Sequence, residues 1–456
     1  MNPLMCWMRM LCGVIAWLLM VPDCQAESLK AAAAARVVNP QRPAVTIGHR
    51  VMKRFDNVYA DLRVQAFVVE DANGKQIVWM GLDFCVVRAV VADRIKAKIQ
   101  DQFGIPAAAV CINSSHTHSA PPLTPWEAVQ PEHFDAEYSN RVIDEAVAVV
   151  GEALSRLQPA RVRYVWDQCQ VGINRRLGNP GSVQMLPNPN GVVDHRVQVV
   201  AAEAMESGKL IGAAIKYACH PVTIVNLGLG SDYPGYMRKM FEERHPGAVA
   251  VFLQGCGGDV RIRVVNKDLS GWINGTFEIA ERFGRDLADA VDRSLNKPGD
   301  ELSGPLTCAA SEIRLPVQVR PAAEYKEAAA RNDAFTGAWG RKFSEILGAG
   351  KPIPGKVPYR LQSFRFGRGD AAFNVIALDG EVLTEYGLRI EERLGTRDAI
   401  VLGYSNAVLS YVPTKRALVE GGYETTAYRW YRLPGPFKPE IETLIVNAAV
   451  RLATPR

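Results

Sequence analysis

Three short patterns follow one another between residues 65 and 103. Apolar-rich runs at 65–70 and 76–84 flank Asn73-Gly74, a pair suited to a tight reversal, and predict two strands joined by a turn. Ala89–Phe103 then carries apolar residues at helical spacing. The spacing returns at 134–157, where Val142, Ile143, Ala146, Val149, Val150, Ala153 and Leu154 fall on one helix face. Strand-length apolar runs lie at 108–112, 161–166, 210–220, 248–254, 373–378 and 400–404, with helices predicted at 235–244, 277–295 and 383–394. A charged stretch, 322–347, predicts one helix or two before a Gly/Pro/Lys-rich segment, 348–358, that suits an exposed loop or a substrate-contacting insertion. Strands alternating with helices predict an α/β fold, a layered mixed β-sheet core with flanking helices. No repeat and no break in composition divides residues 44–456, which predicts one domain there.

The amino terminus has a different character. Arg9, an apolar core at 11–21, Pro22-Asp23 and then Cys24-Gln25-Ala26 predict a secretory signal peptide over 1–26, and hence an exported protein, periplasmic or extracellular. The apolar core is short for a bilayer span, which disfavours an uncleaved anchor. Residues 27–43 are expected to be disordered. A net charge of +5 is spread along the chain without a basic cluster, so nothing calls for nucleic acid. Cys85, Cys111, Cys169, Cys219, Cys256 and Cys308 follow residue 26 without Cys-x-x-Cys spacing. Export permits disulfides, but buried free thiols suit their apolar surroundings equally well.

Candidate chemistry gathers where apolar runs end. Of seven histidines, His116 and His118 stand one residue apart just beyond 108–112. In extended backbone both rings would project to one face, as a metal or acid/base pair. His220 ends the run 210–220, and Pro221 forbids a simple continuation of the strand. Glu381 follows 373–378 through Asp379-Gly380, and the last run leads to Tyr411 and then to Gly421-Gly422-Tyr423. Open α/β sheets gather ligands outside their strand ends, so these residues can converge. Two histidines and a carboxylate form the ligand set of many catalytic zinc sites. Taken singly, each has a plainer reading: a packed histidine, a helix-start carboxylate, core tyrosines. Gly255-Cys256-Gly257-Gly258-Asp259 lacks the Lys and Ser/Thr of a phosphate loop and suits a tight turn that lets backbone approach a site. Arg368-Gly369-Asp370 suits a hairpin turn, and the glycosylation sequon at Asn113 is expected to be buried.

With these residues together, the chain resembles the amidase domain of the neutral/alkaline (non-lysosomal) ceramidase family. The resemblance runs in order from 59–69 through Ser115-His116-Thr117-His118-Ser119, Asn174-Arg175, Gly258-Asp259-Val260 and Gly380-Glu381 to Tyr411 and Tyr423. It implies that Zn2+ is held by His116, His220, Glu381 and Tyr411, and that His118, Arg175 and Tyr423 line the reaction centre. It also implies hydrolysis of the amide bond of ceramide to a sphingoid base and a fatty acid. On that reading zinc lowers the pKa of its water towards ~7, His118 moves the proton, and Tyr423 and Arg175 stabilise the developing oxyanion.

The chain departs from the family's pattern at three places. It ends about thirty residues beyond Tyr423, against the ~100 of a sandwich, so no C-terminal immunoglobulin-like domain is expected. Arg261 stands where the family often has serine after Gly-Asp-Val, which excludes a serine nucleophile there. Ala120 and Pro121-Pro122 replace a more glycine-rich loop. The substrate expected is an N-acyl lipid or another amide, met through a transient membrane-surface contact. Two alternatives stay open: a zinc hydrolase of another amide or an ester, and a secreted lipid- or glycan-binding protein without catalysis.

Overall fold

A computed structural model describes residues 29–48, 53–125, 133–395 and 399–454. The segment expected to be a signal peptide lies outside them. Nine strands form the main sheet. Across it run Val249–Gln254, Leu210–Tyr217, Arg196–Ala204, Gln158–Gln168, Leu29–Val37, Arg63–Glu70, Gln76–Leu82 and Val110–Ser114, with Asp300–Leu302 also on Gln158–Gln168. Pairing is parallel at the two ends of this order and antiparallel through the middle, so the sheet is mixed. A second, four-stranded sheet is built from Leu306–Pro316, Lys356–Phe366, Phe373–Leu378 and Ile400–Leu402.

Strand alternation decides what each face meets. Val64, Ala66, Val68, Val78 and Met80 pack under the helices Ala89–Phe103 and Ala136–Ser155. Their neighbours Phe67, Val69, Ile77 and Trp79 face the other way, onto Phe364, Phe366, Phe373 and Val375 of the second sheet. The far side of that sheet is covered by Thr384–Leu394 and Ile441–Ala453. The result is helix, sheet, sheet, helix: the layered mixed α/β core with flanking helices that the sequence predicts. The helix expected at 134–157 forms as Ala136–Ser155, started by Asp135, whose carboxylate accepts the Tyr138 N–H at 2.9 Å. The charged stretch is two helices, Ala322–Ala329 and Thr336–Gly348, and Arg368-Gly369-Asp370 does turn the chain between two antiparallel strands.

One expectation is overturned. Within the stretch 27–43 expected to be disordered, the described residues begin at Leu29, and Leu29–Val37 is a central strand, paired from Lys30↔Glu70 to Val37↔Arg63 and, on its other edge, with Gln158–Ala160. Its sequence, LKAAAAARV, hides this because alanines serve both faces, Ala32 and Ala34 towards the helices and Ala31 and Ala33 towards the second sheet. A strand buried on both sides shows no two-residue alternation, and alanine's preference is for helix. The six cysteines named above are free thiols, five of them buried. No helix among the described residues is long and apolar enough to cross a membrane.

The second sheet meets the first where the strands end. Asn113, fully buried, donates to Gly403 O at 2.8 Å and Gln254 O at 3.2 Å and accepts the Gln254 N–H at 2.6 Å. One side chain thus joins the ends of Val110–Ser114, Val249–Gln254 and Ile400–Leu402. The loops that leave these strands start side by side.

Candidate metal centre

His116 and His118 do not lie on extended backbone. The strand ends at Ser114, and His116 has φ 66°, a left-handed conformation rare for a residue with a side chain. It is held there by the His116 N–H to Phe84 O bond at 3.0 Å and by the Ser114 hydroxyl donating to Phe84 O. The rings still meet, edge to face with centroids 4.8 Å apart and Nε2 atoms at 3.1 Å. The close approach that alternation predicts is therefore produced by a sharp turn instead. Gly48, at φ 95°, packs on the His118 ring, and a Cβ there would fall 2.4 Å from its Nδ1.

Each buried histidine spends Nδ1 on the backbone. His116 Nδ1 donates to Cys85 O at 2.6 Å, and His220 Nδ1 lies 2.9 Å from Gly257 O and 3.0 Å from Val260 O. This makes Nδ1 the backbone donor and aims both Nε2 atoms inward, as in the outer shell of metal-bound histidines. Gly257 is required for the approach, since a Cβ would stand 2.8 Å from the Ala218 carbonyl carbon. The glycine turn thus brings backbone to the site, as its sequence suggests.

Glu381 completes the group. It follows Gly380 at φ 84° and pairs in parallel with Tyr411, which sets the two side chains next to one another. Glu381 Oε2 lies 3.1 Å from both His116 Nε2 and His220 Nε2, and the Tyr411 hydroxyl is 3.2 Å from His220 Nε2. Ligands of a tetrahedral zinc at about 2.0–2.1 Å stand roughly 3.3 Å apart, so these separations suit one small cation. Two imidazole nitrogens, a carboxylate and a phenol, all buried, fit zinc by donor type as well.

The electrostatics agree with a cation site. Burial opposes charge on His116, but the Glu381 carboxylate outweighs it and pushes the pKa up to about 10. Burial and then Arg175 pull His220 down to about 4. Glu381 stays well below the usual carboxylate range in spite of burial, chiefly because of His116. One proton on His116 therefore balances the carboxylate, and a metal ion would take over that charge. Burial holds the Tyr411 phenol well above its ordinary pKa.

The remaining residues singled out in the sequence surround this group. Arg175 lies over the rings of Tyr411 and Tyr423 at 5.4 and 5.6 Å, and those rings are 5.4 Å apart. Its guanidinium is largely committed, Nε to Glu424 at 2.9 Å and Nη2 to Gly258 O at 2.8 Å. Glu424 also binds Arg176 Nη1 at 2.5 Å. All seven residues are thus brought together: His116, His220, Glu381 and Tyr411 at the centre, His118 against His116, and Arg175 and Tyr423 against Tyr411.

Sequence reasoning missed Tyr431, whose hydroxyl donates to Glu381 Oε1. It missed Tyr404 too, with φ 50° and a ring 4.6 Å from that of His116. Tyr431 lies outside any periodic pattern, and Tyr404 ends the apolar run 400–404 with nothing in the sequence to mark it as a site residue. Asp259, inside a matching motif, accepts the Thr384 N–H and hydroxyl at 2.8 and 2.7 Å and so secures the start of the helix after Glu381.

Fold and site define a layered α/β protein whose gathered strand ends carry a buried His/His/Glu/Tyr group able to hold a metal. The sequence model described as neutral/alkaline non-lysosomal ceramidase, N-terminal, matches residues 55–268, and over that segment the chain is similar to this family. Neutral ceramidase B of Dictyostelium discoideum is 26% identical over 219 residues, covering 43% of this chain and 30% of its own. The match thus spans under a third of the relative's length. Neutral ceramidase from Pseudomonas aeruginosa superposes with a TM-score of 0.71 at 20% identity, over 94% of this chain and 75% of that one. A ceramidase complexed with C2 does so at 0.71 and 18%, with the same coverage. At such identities the likeness to the solved structures is one of fold.

Proposed function

We propose that this protein is a zinc-dependent amidohydrolase acting on ceramide or a related N-acyl lipid. The observation that carries the reading is the convergence of two histidine Nε2 atoms on one carboxylate oxygen, with a third imidazole, His118, at 3.1 Å. The similarity of residues 55–268 to the ceramidase family supports the bond type. Zinc held by His116, His220, Glu381 and Tyr411 would supply Lewis acidity and lower the pKa of water towards 7 at about the working pH.

The chain's own residues do the rest. His118, next to the ligand group and not part of it, accepts the proton of the attacking water at Nε2 and returns it to the departing amine. The Tyr423 hydroxyl donates to the carbonyl oxygen as negative charge builds there. Arg175, bound to Glu424 and Gly258 O, acts mainly by keeping positive charge over both phenols. Tyr431 holds Glu381 from outside. Export and a transient contact with a membrane surface, where an N-acyl lipid resides, belong to the same proposal.

The test is fatty-acid release by the purified full chain from a panel of N-acyl substrates. Near-stoichiometric zinc, activity lost on chelation and activity regained with zinc are expected. Full activity in metal-free protein, or zinc without cleavage of any amide, would overturn the reading.

A further inference from the structure

Beside the metal centre stands a cation without a counter-ion. Arg261 lies on Val260–Ile262, which pairs antiparallel with Gly172–Leu177 so that Arg261 is opposite Ile173. Residues directly opposite share a face, and Arg175 lies two positions further along that same face. Arg175 covers Tyr411 and Tyr423, so the face carrying Arg261 borders the site, while Val260 and Ile262 turn into the core. The backbone of Arg261 also bridges to that of His220.

The Arg261 guanidinium is stacked on Trp272, 4.6 Å from the ring centroid. Trp272 is itself anchored by its indole N–H to Met185 O at 2.9 Å. Arg261 Nε is buried with no hydrogen-bond partner, and no carboxylate among the described residues pairs with the side chain. Asp232, whose charge reaches it, and Glu424, the acid beside its neighbour Arg175, are both occupied. Asp232 accepts the N–H groups of Ile224 and Tyr233 at 2.9 and 2.6 Å, and Glu424 is shared by Arg175 and Arg176. Burial and the charge of Arg175 lower the Arg261 pKa to about 10, which leaves it cationic at neutral pH. An aromatic platform that holds a guanidinium with unused donors at the edge of a catalytic group is a receptor for an oxyanion, carboxylate or sulfonate.

We infer that Arg261 binds an oxyanion carried by the substrate close to the scissile amide. The substrate class is then an N-acyl amide with an acidic head group, such as an N-acyl amino acid or an N-acyl aminosulfonate, in preference to one with a neutral amino alcohol. This inference rests on the amidohydrolase reading for the reaction, although not for the binding. A serine at the same position could offer one neutral hydroxyl, whereas arginine offers a charged, multi-donor fork.

The experiment compares N-dodecanoylglycine and N-dodecanoyltaurine with N-dodecanoylethanolamine on the full chain. Zinc-loaded wild type is expected to show kcat/KM at least about tenfold higher for the acidic amides, and Arg261→Gln a ratio near one, as for loss of a charged hydrogen bond. Arg261→Lys should keep part of the preference, which a merely structural role would not predict. A preference for glycine alone selects carboxylate as the anion, and a preference for taurine alone selects sulfonate. Calorimetry on chelator-treated protein gives the second readout: the acidic amides should bind more tightly in wild type and lose that advantage in Arg261→Gln. Cleavage of all three substrates at equal kcat/KM, with equal affinities, would overturn the inference and leave the hydrolase standing. Selective binding lost in Arg261→Gln without any cleavage would leave the anion site standing and remove the hydrolase. A matched thermal melt for each variant excludes misfolding as the cause.

Discussion

Hydrogen bonding at the ring nitrogens separates the two neighbouring histidines. His116 gives Nδ1 to Cys85 O and directs Nε2 at Glu381, so His116→Ala should abolish stoichiometric zinc along with turnover. His118 meets the group at His116 Nε2, with its ring 6.1 Å from that of His220, and His118→Ala should retain zinc while turnover falls about 10²- to 10⁴-fold, as for loss of a general acid/base. Zinc content by atomic absorption distinguishes the two; zinc lost from His118→Ala would make it a ligand. The same residues set a pH dependence. In the metal-free protein His116 keeps its proton up to about 10, and a bound cation must displace it. Apparent zinc affinity should therefore rise with pH, about tenfold per unit between pH 7 and 9 for one displaced proton. Competition against a chromophoric chelator at two pH values measures this slope, and a flat response would mean a neutral His116. Backbone alternation supports a shared task for the two histidines but by itself cannot tell them apart, because the distinction depends on the carbonyl that His116 Nδ1 meets and on the carboxylate its Nε2 faces.

Among the elements, Leu29–Val37 has the largest effect. It sits between Arg63–Glu70 and Gln158–Gln168, and removing it opens the main sheet in the middle. A chain beginning at residue 44 should lose its cooperative thermal transition, while one beginning at residue 27 should keep it; differential scanning calorimetry of the two decides. A stable, folded product from residue 44 onward would show the strand to be dispensable. The amphipathic helices and the hairpin strands are legible because one face meets water and leaves a period in the sequence. An alanine-rich interior strand and the short pairings around Glu381 and Tyr411 have no such period. Their positions are fixed by partners distant in the chain.

Across the whole molecule, buried charge ties the layers together. Arg238, on the helix Asp232–Arg244, makes a two-pronged bond to Asp83 at the end of Gln76–Leu82, at 3.0 and 2.5 Å, and both side chains are 1% exposed. Arg238→Met leaves a buried carboxylate unpaired and should cost about 3–5 kcal/mol, whereas adding Asp83→Leu should restore most of it. Urea titration of the single and double variants measures both effects, and a double variant no better than the single would reject uncompensated charge as the cause. The lesson of this pair is the lesson of the site. The sequence by itself determined the α/β class, the run of most elements and the residue types at strand ends, because burial and backbone geometry act locally and leave periodic traces. Only the tertiary structure decided that Asn113 draws three strand ends together, that His116 turns left-handed to meet His118, that Tyr431 supports Glu381 and that Arg261 keeps a free charge beside them. Those outcomes depend on contacts outside any local period, from tens of residues apart at His116 and Tyr431 to nearly three hundred at Asn113.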